Sequence, residues 1–92
     1  MIYFDNNATT RLAPEVFRAM TPYLTELYGN PSSAYVFGRE VRAAIEAART
    51  QVATLVGAAE TREIVFTSGG TESDNWAIRG ALAGNPEPEP LR

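Results

Sequence analysis

Glu63-Ile64-Val65-Phe66-Thr67-Ser68-Gly69-Gly70-Thr71-Glu72-Ser73-Asp74-Asn75-Trp76-Ala77-Ile78 reads as a buried strand, a glycine turn and a new helix in direct succession. The β-branched and aromatic run from Ile64 to Thr67 suits a strand. Two glycines permit a tight turn with positive φ, and Trp76-Ala77-Ile78 continues a helical period. The backbone N–H groups of Gly70, Thr71 and Glu72 would then leave a helix N-terminus, where the macrodipole adds partial positive charge. That is the geometry of a phosphate site. The alternative is an ordinary strand-to-helix turn with Thr71 or Ser68 as its cap. Glu72 and Asp74 favour the start of this helix, and because they would repel a phosphate if turned toward it, they are expected to point away.

Working outward, the chain's absences limit its chemistry. All eight basic residues are arginines, and the 92 residues include no lysine, histidine or cysteine. No amine is available for a Schiff base, no imidazole for proton shuttling, and no thiolate for attack. If the chain serves an enzyme, the reacting groups lie elsewhere. A net charge of −3, with arginines interleaved among acids, argues against a nucleic-acid surface. No apolar run is long enough to span a bilayer, and Met1-Ile2-Tyr3-Phe4 is cut off at once by Asp5, unlike a signal peptide. A cytoplasmic protein with no membrane partner is expected. The apolar fraction of 45% and charged fraction of 21% are those of a globular protein, at this length one small domain at most. There is no internal repeat and no metal-ligand cluster.

Upstream, Ile2 to Phe4 reads as a short strand followed by the polar loop Asp5-Asn6-Asn7-Ala8-Thr9-Thr10. Pro14 suits the first position of a helix, and Val16, Phe17, Met20, Leu24 and Leu27 recur at helical spacing up to Gly29. Pro22 interrupts this pattern and predicts either a kink or two short helices. After the turn formers Gly29-Asn30-Pro31-Ser32-Ser33, a helix is predicted from about Phe37 to Val56. Val41, Ala44, Ile45, Ala48, Val52, Leu55 and Val56 mark its apolar face, with the alanines suited to close packing on a sheet. Arg39, Glu40, Arg42, Glu46 and Arg49 mark a solvent face, Arg42 and Glu46 standing one turn apart. Gly57 closes the helix in the left-handed region, and a third helix runs from about Thr71 to Ala83 before Gly84. Trp76 is expected to anchor a core against the sheet, with Tyr35 and Phe37 as packing residues. The tail Asn85-Pro86-Glu87-Pro88-Glu89-Pro90 is a linker or a loose end. One strand and one short partner do not make a sheet, so the chain reads as the opening segment of a larger α/β protein, mainly helices with one or two strands.

Three segments together carry a resemblance. Tyr3-Phe4-Asp5-Asn6-Asn7-Ala8-Thr9-Thr10, Gly29-Asn30-Pro31-Ser32-Ser33 and Phe66-Thr67-Ser68-Gly69-Gly70-Thr71-Glu72-Ser73-Asp74-Asn75 resemble the N-terminal signatures of NifS/IscS-type cysteine desulfurases. These are class V, fold-type I pyridoxal-phosphate enzymes. Each motif alone is weak, but the three stand in the family's order and spacing over nearly the whole chain up to about Gly84. The resemblance implies that residues 1–84 are the N-terminal, incomplete part of such a domain, with 85–92 a loop or tail. It also implies a homodimeric enzyme that takes sulfur from L-cysteine, leaves alanine, and passes a persulfide to an iron–sulfur scaffold, a tRNA-thiolation pathway or another sulfur-acceptor protein.

On the same resemblance, Gly70 and Thr71 sit at the phosphate of pyridoxal 5'-phosphate, Gly70 by close backbone approach and Thr71 by its N–H and hydroxyl. Asn7 and Ala8 line the substrate side. From the residues alone, Asn7 and Thr9 either serve that site or only satisfy the loop's own backbone. The family's cofactor-holding lysine, ring-stacking histidine, pyridine-nitrogen aspartate and persulfide-forming cysteine all fall later in its sequence. The chain by itself is therefore expected to be inactive, with no catalytic residue of its own and no metal. Tyr35 stands where the family usually has histidine. Two alternatives stay open, a non-catalytic remnant or interaction module docking on a full-length desulfurase, and a segment of another fold-type I enzyme such as a selenocysteine lyase.

Overall fold

Pro14 opens the first helix because a fixed φ suits the first helical position and its missing N–H has no intrahelical partner to lose. Helix α1 spans Pro14–Thr25, behind an extended Ala13 whose carbonyl accepts the Phe17 N–H at 3.0 Å. The computed structural model describes residues 1–84, in two units, Met1–Val52 and Ala53–Arg92. The Pro/Glu-rich tail expected at 85–92 lies outside the described residues. Pro22 does not divide α1 into two helices, contrary to one of the two expectations above. Its ring removes a single donor in the last turn, and the helix stops three residues later. The Pro22 carbonyl then collects the N–H groups of Glu26 at 2.9 Å and Leu27 at 2.8 Å. Thr21 and Thr25 donate their hydroxyls back to the carbonyls of Phe17 and Thr21, at 2.8 and 2.9 Å. The carbonyls of Phe17, Thr21 and Pro22 thus all accept bonds around the proline, and the helix runs through it.

Asn30 shapes the turn that follows, accepting the Ser32 N–H on its side-chain oxygen at 2.9 Å and the Ser33 N–H on its carbonyl at 3.0 Å. Helix α2, Val36–Val56, begins immediately and holds this turn against its own first residues. A Cβ on Gly38 would lie 2.6 Å from the carbonyl oxygens of both Asn30 and Ser33. Only a glycine allows that approach. One turn on, Arg42 Nε donates to the Pro31 carbonyl at 2.8 Å, while Arg39 donates to the Ala34 carbonyl at 3.1 Å. Arg39 and Arg42 therefore clamp the preceding turn rather than only decorating a solvent face. Glu46 takes Arg49 as its ion-pair partner, at 3.2 Å, in place of Arg42. Phe37 is half-buried and packs edge-on to Tyr28 with ring centroids 5.3 Å apart. Tyr35, expected to pack, is 62% exposed.

The predicted apolar face of α2 is real but turns to a helix, not a sheet. Val41, Ala44, Ile45 and Ala48 are half-buried and, with Ala19, Tyr23 and Leu27, line a groove of about 680 Å³ in the first unit. Leu55 and Val56, assigned to the same face, are exposed.

In the second unit, Gly57 ends α2 at φ +73, with the Gly57 N–H reaching the Thr54 carbonyl at 3.3 Å and the Ala58 N–H reaching that of Ala53 at 2.9 Å. This pair of bonds is the Schellman arrangement that the position of Gly57 predicts. A 3₁₀ turn at Thr61–Glu63 follows, locked by a reciprocal cap in which Glu63 accepts the Glu60 N–H at 2.7 Å. Arg62 pairs with Glu60. Helix α3 spans Gly70–Gly84.

Among the described residues there is no β-strand, which corrects the expected strands at Ile2 to Phe4 and Ile64 to Thr67. Ile64 does have extended dihedrals, φ −95 and ψ 120. Extended backbone becomes a strand only when a neighbour supplies ladder hydrogen bonds, and among the described residues neither run is part of a strand ladder. Trp76, expected to anchor against a sheet, is 54% exposed.

Candidate functional site

The turn from Thr67 to Thr71 is built by its own side chains. Thr67 donates its hydroxyl to the Gly69 carbonyl at 3.1 Å, so the 2.5 Å contact to Ser73 is made by the Ser73 hydroxyl donating to Thr67. The Gly69 carbonyl also accepts the Ser73 N–H at 3.1 Å, which closes the first turn of α3. Asn75 donates its amide to the Thr71 carbonyl at 2.9 Å. The N–H groups of Gly70, Thr71 and Glu72 are the first of the helix and have no preceding turn to bond within. A methyl built on Gly69 or Gly70 meets nothing within 4 Å, so the space over the turn is open to a ligand group. The Thr71 hydroxyl makes no hydrogen bond among the described residues.

Glu72 departs from its expected outward direction. Its Oε2 accepts the Ser68 hydroxyl at 2.5 Å and the Ser68 N–H at 2.9 Å, folding the side chain back past the helix N-terminus. The Ser68 hydroxyl first, and its N–H second, hold the Glu72 carboxyl below the usual carboxylate value. Neither Ser68 nor Thr71 caps α3 in the ordinary sense, since among the described residues neither hydroxyl accepts a first-turn N–H, and the Ser68 hydroxyl donates to Glu72 instead. The signal lay in the sequence as serine followed by glutamate four residues on, one residue longer than the usual capping box. This cap takes up Ser68 and leaves the N–H donors at Gly70 and Thr71 unspent, while it also brings the Glu72 charge back toward the helix N-terminus, where it opposes the attraction of an anion.

In the first unit, residues Asp5 to Ala8 form a tight turn, the Asp5 carbonyl accepting the Ala8 N–H at 3.0 Å and, more weakly, the Thr9 N–H at 3.4 Å. The Tyr3 hydroxyl donates to the same carbonyl at 2.9 Å and lies 2.6 Å from the Thr9 hydroxyl. With the phenol's one proton committed, Thr9 is the donor of that second bond. Thr10 donates to the Asn6 carbonyl at 2.9 Å. The loop carbonyls are thus served by the hydroxyls of Tyr3 and Thr10, with Thr9 tied to the Tyr3 phenol, while the Asn6 and Asn7 side chains make no hydrogen bond among the described residues. Thr9 braces the loop through the Tyr3 phenol, and among the described residues neither its hydroxyl nor the Asn7 side chain bonds the loop backbone.

Gly70 and Thr71 therefore stand side by side at the head of α3, and Asn7 and Ala8 side by side in a turn of the other unit. Sequence reasoning missed the Tyr3–Thr9 pair, because a bond across six residues has no periodic signature. Among the described residues there is no group of three or more side chains suited to a metal, and no helix long and apolar enough to cross a membrane.

Comparison with known proteins agrees with these motifs. The aminotransferase class-V family profile matches residues 2–89. The chain is 60% identical to a cysteine desulfurase of Trichormus azollae over 87 residues, 95% of this chain and 22% of that protein. It is 59% identical to a cysteine desulfurase of Cereibacter sphaeroides over 85 residues, 92% of this chain and 22% of that protein. With the cysteine desulfurase IscS of Methanosarcina thermophila it shares 55% identity over 84 residues, 91% of this chain and 20% of that protein. The chain spans about a fifth of the length of these curated relatives.

Proposed function

The chain belongs to the aminotransferase class-V family, and from that premise we propose that it is the N-terminal portion of a pyridoxal-phosphate-dependent cysteine desulfurase, which converts L-cysteine to L-alanine and an enzyme persulfide. Residues 1–84 form the opening segment of that domain. The rest of the enzyme supplies the reacting groups, in a homodimer that hands sulfur to an iron–sulfur scaffold or another acceptor protein in the cytoplasm.

The observation that carries this proposal is the donor set at the head of α3, two first-turn N–H groups and an unengaged Thr71 hydroxyl beneath open space. These residues fit the phosphate end of the cofactor, because an anion at a helix N-terminus satisfies orphan donors and meets favourable dipole charge. Pyridoxal phosphate, when bound, supplies the electron sink for bond breaking in the substrate. What this chain's own residues do is narrower. Gly70 and Thr71 hold the phosphate, Gly70 by offering its N–H with no side chain in the way. Asn7, with its amide unspent, and Ala8 face the substrate.

A second reading, an interaction module docking on a complete desulfurase, draws on the absence of lysine from the 92 residues.

The test is the intact mass of the native protein, isolated from its source with any bound chains, together with its absorbance where bound pyridoxal phosphate absorbs. A large yellow species is the expected result. A colourless species of about 10.0 kDa or a small multiple of it overturns the desulfurase reading and leaves the module.

A further inference from the structure

The loop from Tyr3 to Thr9 holds its shape through one backbone turn at Asp5 and the side-chain hydroxyls that brace it. No strand pairs with it among the described residues, so the loop conformation rests on two bridging hydroxyls and one overloaded carbonyl. The Asp5 carbonyl receives Tyr3 Oη at 2.9 Å and Ala8 N at 3.0 Å, using both lone pairs, with Thr9 N at a longer 3.4 Å. Thr9 then ties its hydroxyl to the same phenol at 2.6 Å, closing the loop at its neck across six residues. At the tip, Asn6 and Asn7 keep their amides free. A loop whose scaffolding is done by other residues is one whose tip is available for binding.

From this arrangement we propose that Tyr3 and Thr9 are a positioning pair for the substrate side of the pocket, presetting the Asn6-Asn7-Ala8 tip through the Asp5 carbonyl. The proposal rests on the reading above that Asn7 and Ala8 face L-cysteine. Neither Tyr3 nor Thr9 touches the substrate. They act by fixing the turn before binding, so their loss is felt as the ordering that binding must then supply. Tyr3→Phe keeps the ring and removes both bonds of the phenol oxygen. Thr9→Val keeps the branched shape and removes one, whereas Thr9→Ser keeps the hydroxyl.

The experiment measures KM and kcat for L-cysteine in the desulfurase that carries this segment, purified with the chains bound to it, and amide hydrogen exchange across residues 3–10. Tyr3→Phe and Thr9→Val should each raise KM about three- to tenfold, the factor that one hydrogen bond of ordinary net strength supports, with kcat held within about twofold. Exchange at Ala8 should quicken in both, Thr9→Ser should restore the parent KM, and the double variant should fall well short of the product of the two single effects, since both touch one bond. A KM that responds to Asn7→Ala but ignores both Tyr3→Phe and Thr9→Val overturns the positioning pair alone. A KM that ignores Asn7→Ala as well removes the substrate-side assignment and the pair with it. A loss of kcat with unchanged KM also overturns the proposal, because it marks a general structural role.

Discussion

Glu72 shows how one side chain alters the meaning of a motif. Its carboxylate is drawn back to Ser68 by the hydroxyl and then the N–H, and both bonds favour the charged form. A carboxyl whose folded value lies below its unfolded value contributes stability that is present above the unfolded value and is lost as pH falls through the folded one. The start of α3 should therefore loosen in acid through Glu72 itself. Trp76, in the second turn of α3, reports this by its emission. In the parent chain, the Trp76 signal and the helical circular dichroism should change as pH falls below the ordinary carboxylate range, and Glu72→Gln should remove the part of that change due to this residue. Coincident acid profiles for the two proteins would show that Ser68 does not hold Glu72 in solution. The serine and glutamate were visible in the sequence, but a side chain's choice between pointing out and folding back depends on where the loop places its donors.

At the scale of elements, helices were legible and strands were not, for one physical reason. A helix carries its hydrogen-bond partners within its own segment, so the spacing of Val41, Ala44, Ile45 and Ala48 and the stop at Gly57 located α2 from local pattern alone. Ile64 to Thr67 has the composition and, at Ile64, the dihedrals of a strand, yet the ladder partner that would make it one is not among the described residues. The same distinction governs the glycines of the helices. Gly38 sits in α2 with the Asn30–Ser33 turn pressed on it, whereas Gly80 sits in α3 with nothing within 4 Å of a would-be Cβ. Alanine is the better helix former by about 1 kcal/mol, so Gly80→Ala should stabilise α3 by up to that amount. Gly38→Ala gains the same propensity but must displace two carbonyl oxygens only 2.6 Å away, and overpacking of that kind costs about 1–3 kcal/mol. Urea denaturation followed by circular dichroism should thus move the two variants in opposite directions. A stabilised Gly38→Ala chain would mean that the Asn30–Ser33 turn does not rest on α2. The candidate site divides in the same way. The place of Gly70 and Thr71 at the head of α3 was readable from local order, and the bracing of the Asp5–Ala8 turn by Tyr3 and Thr9 was not, because it depends on a closure across the loop.

For the molecule as a whole, the decisive quantity is how little of it is covered. Among the described residues, Ala53 is the one apolar side chain that is buried, at 5% exposure, while Phe17, Met20 and Leu24 of α1 and Trp76, Ile78 and Leu82 of α3 are all 45% exposed or more. Phe17, Met20 and Leu24 recur at helical spacing, as do Ile78 and Leu82, so the exposed apolar surface forms faces, with Trp76 on a different side of α3 from Ile78. Contiguous faces of this kind mark surfaces that associate. The chain spans about a fifth of its curated relatives' length, and in the proposed function the remainder of the desulfurase is what covers them. Without that remainder the faces have only one another. The isolated 92-residue chain should therefore self-associate, with a weight-average mass in sedimentation that begins near 10.0 kDa at high dilution and climbs with concentration. Replacing Phe17 and Leu24 together by serine should lower the association without altering the helical signal, because both side chains are already more than half exposed. A chain that stays at its monomer mass across the whole range, with the double variant indistinguishable from it, would mean that these faces are covered within the chain itself.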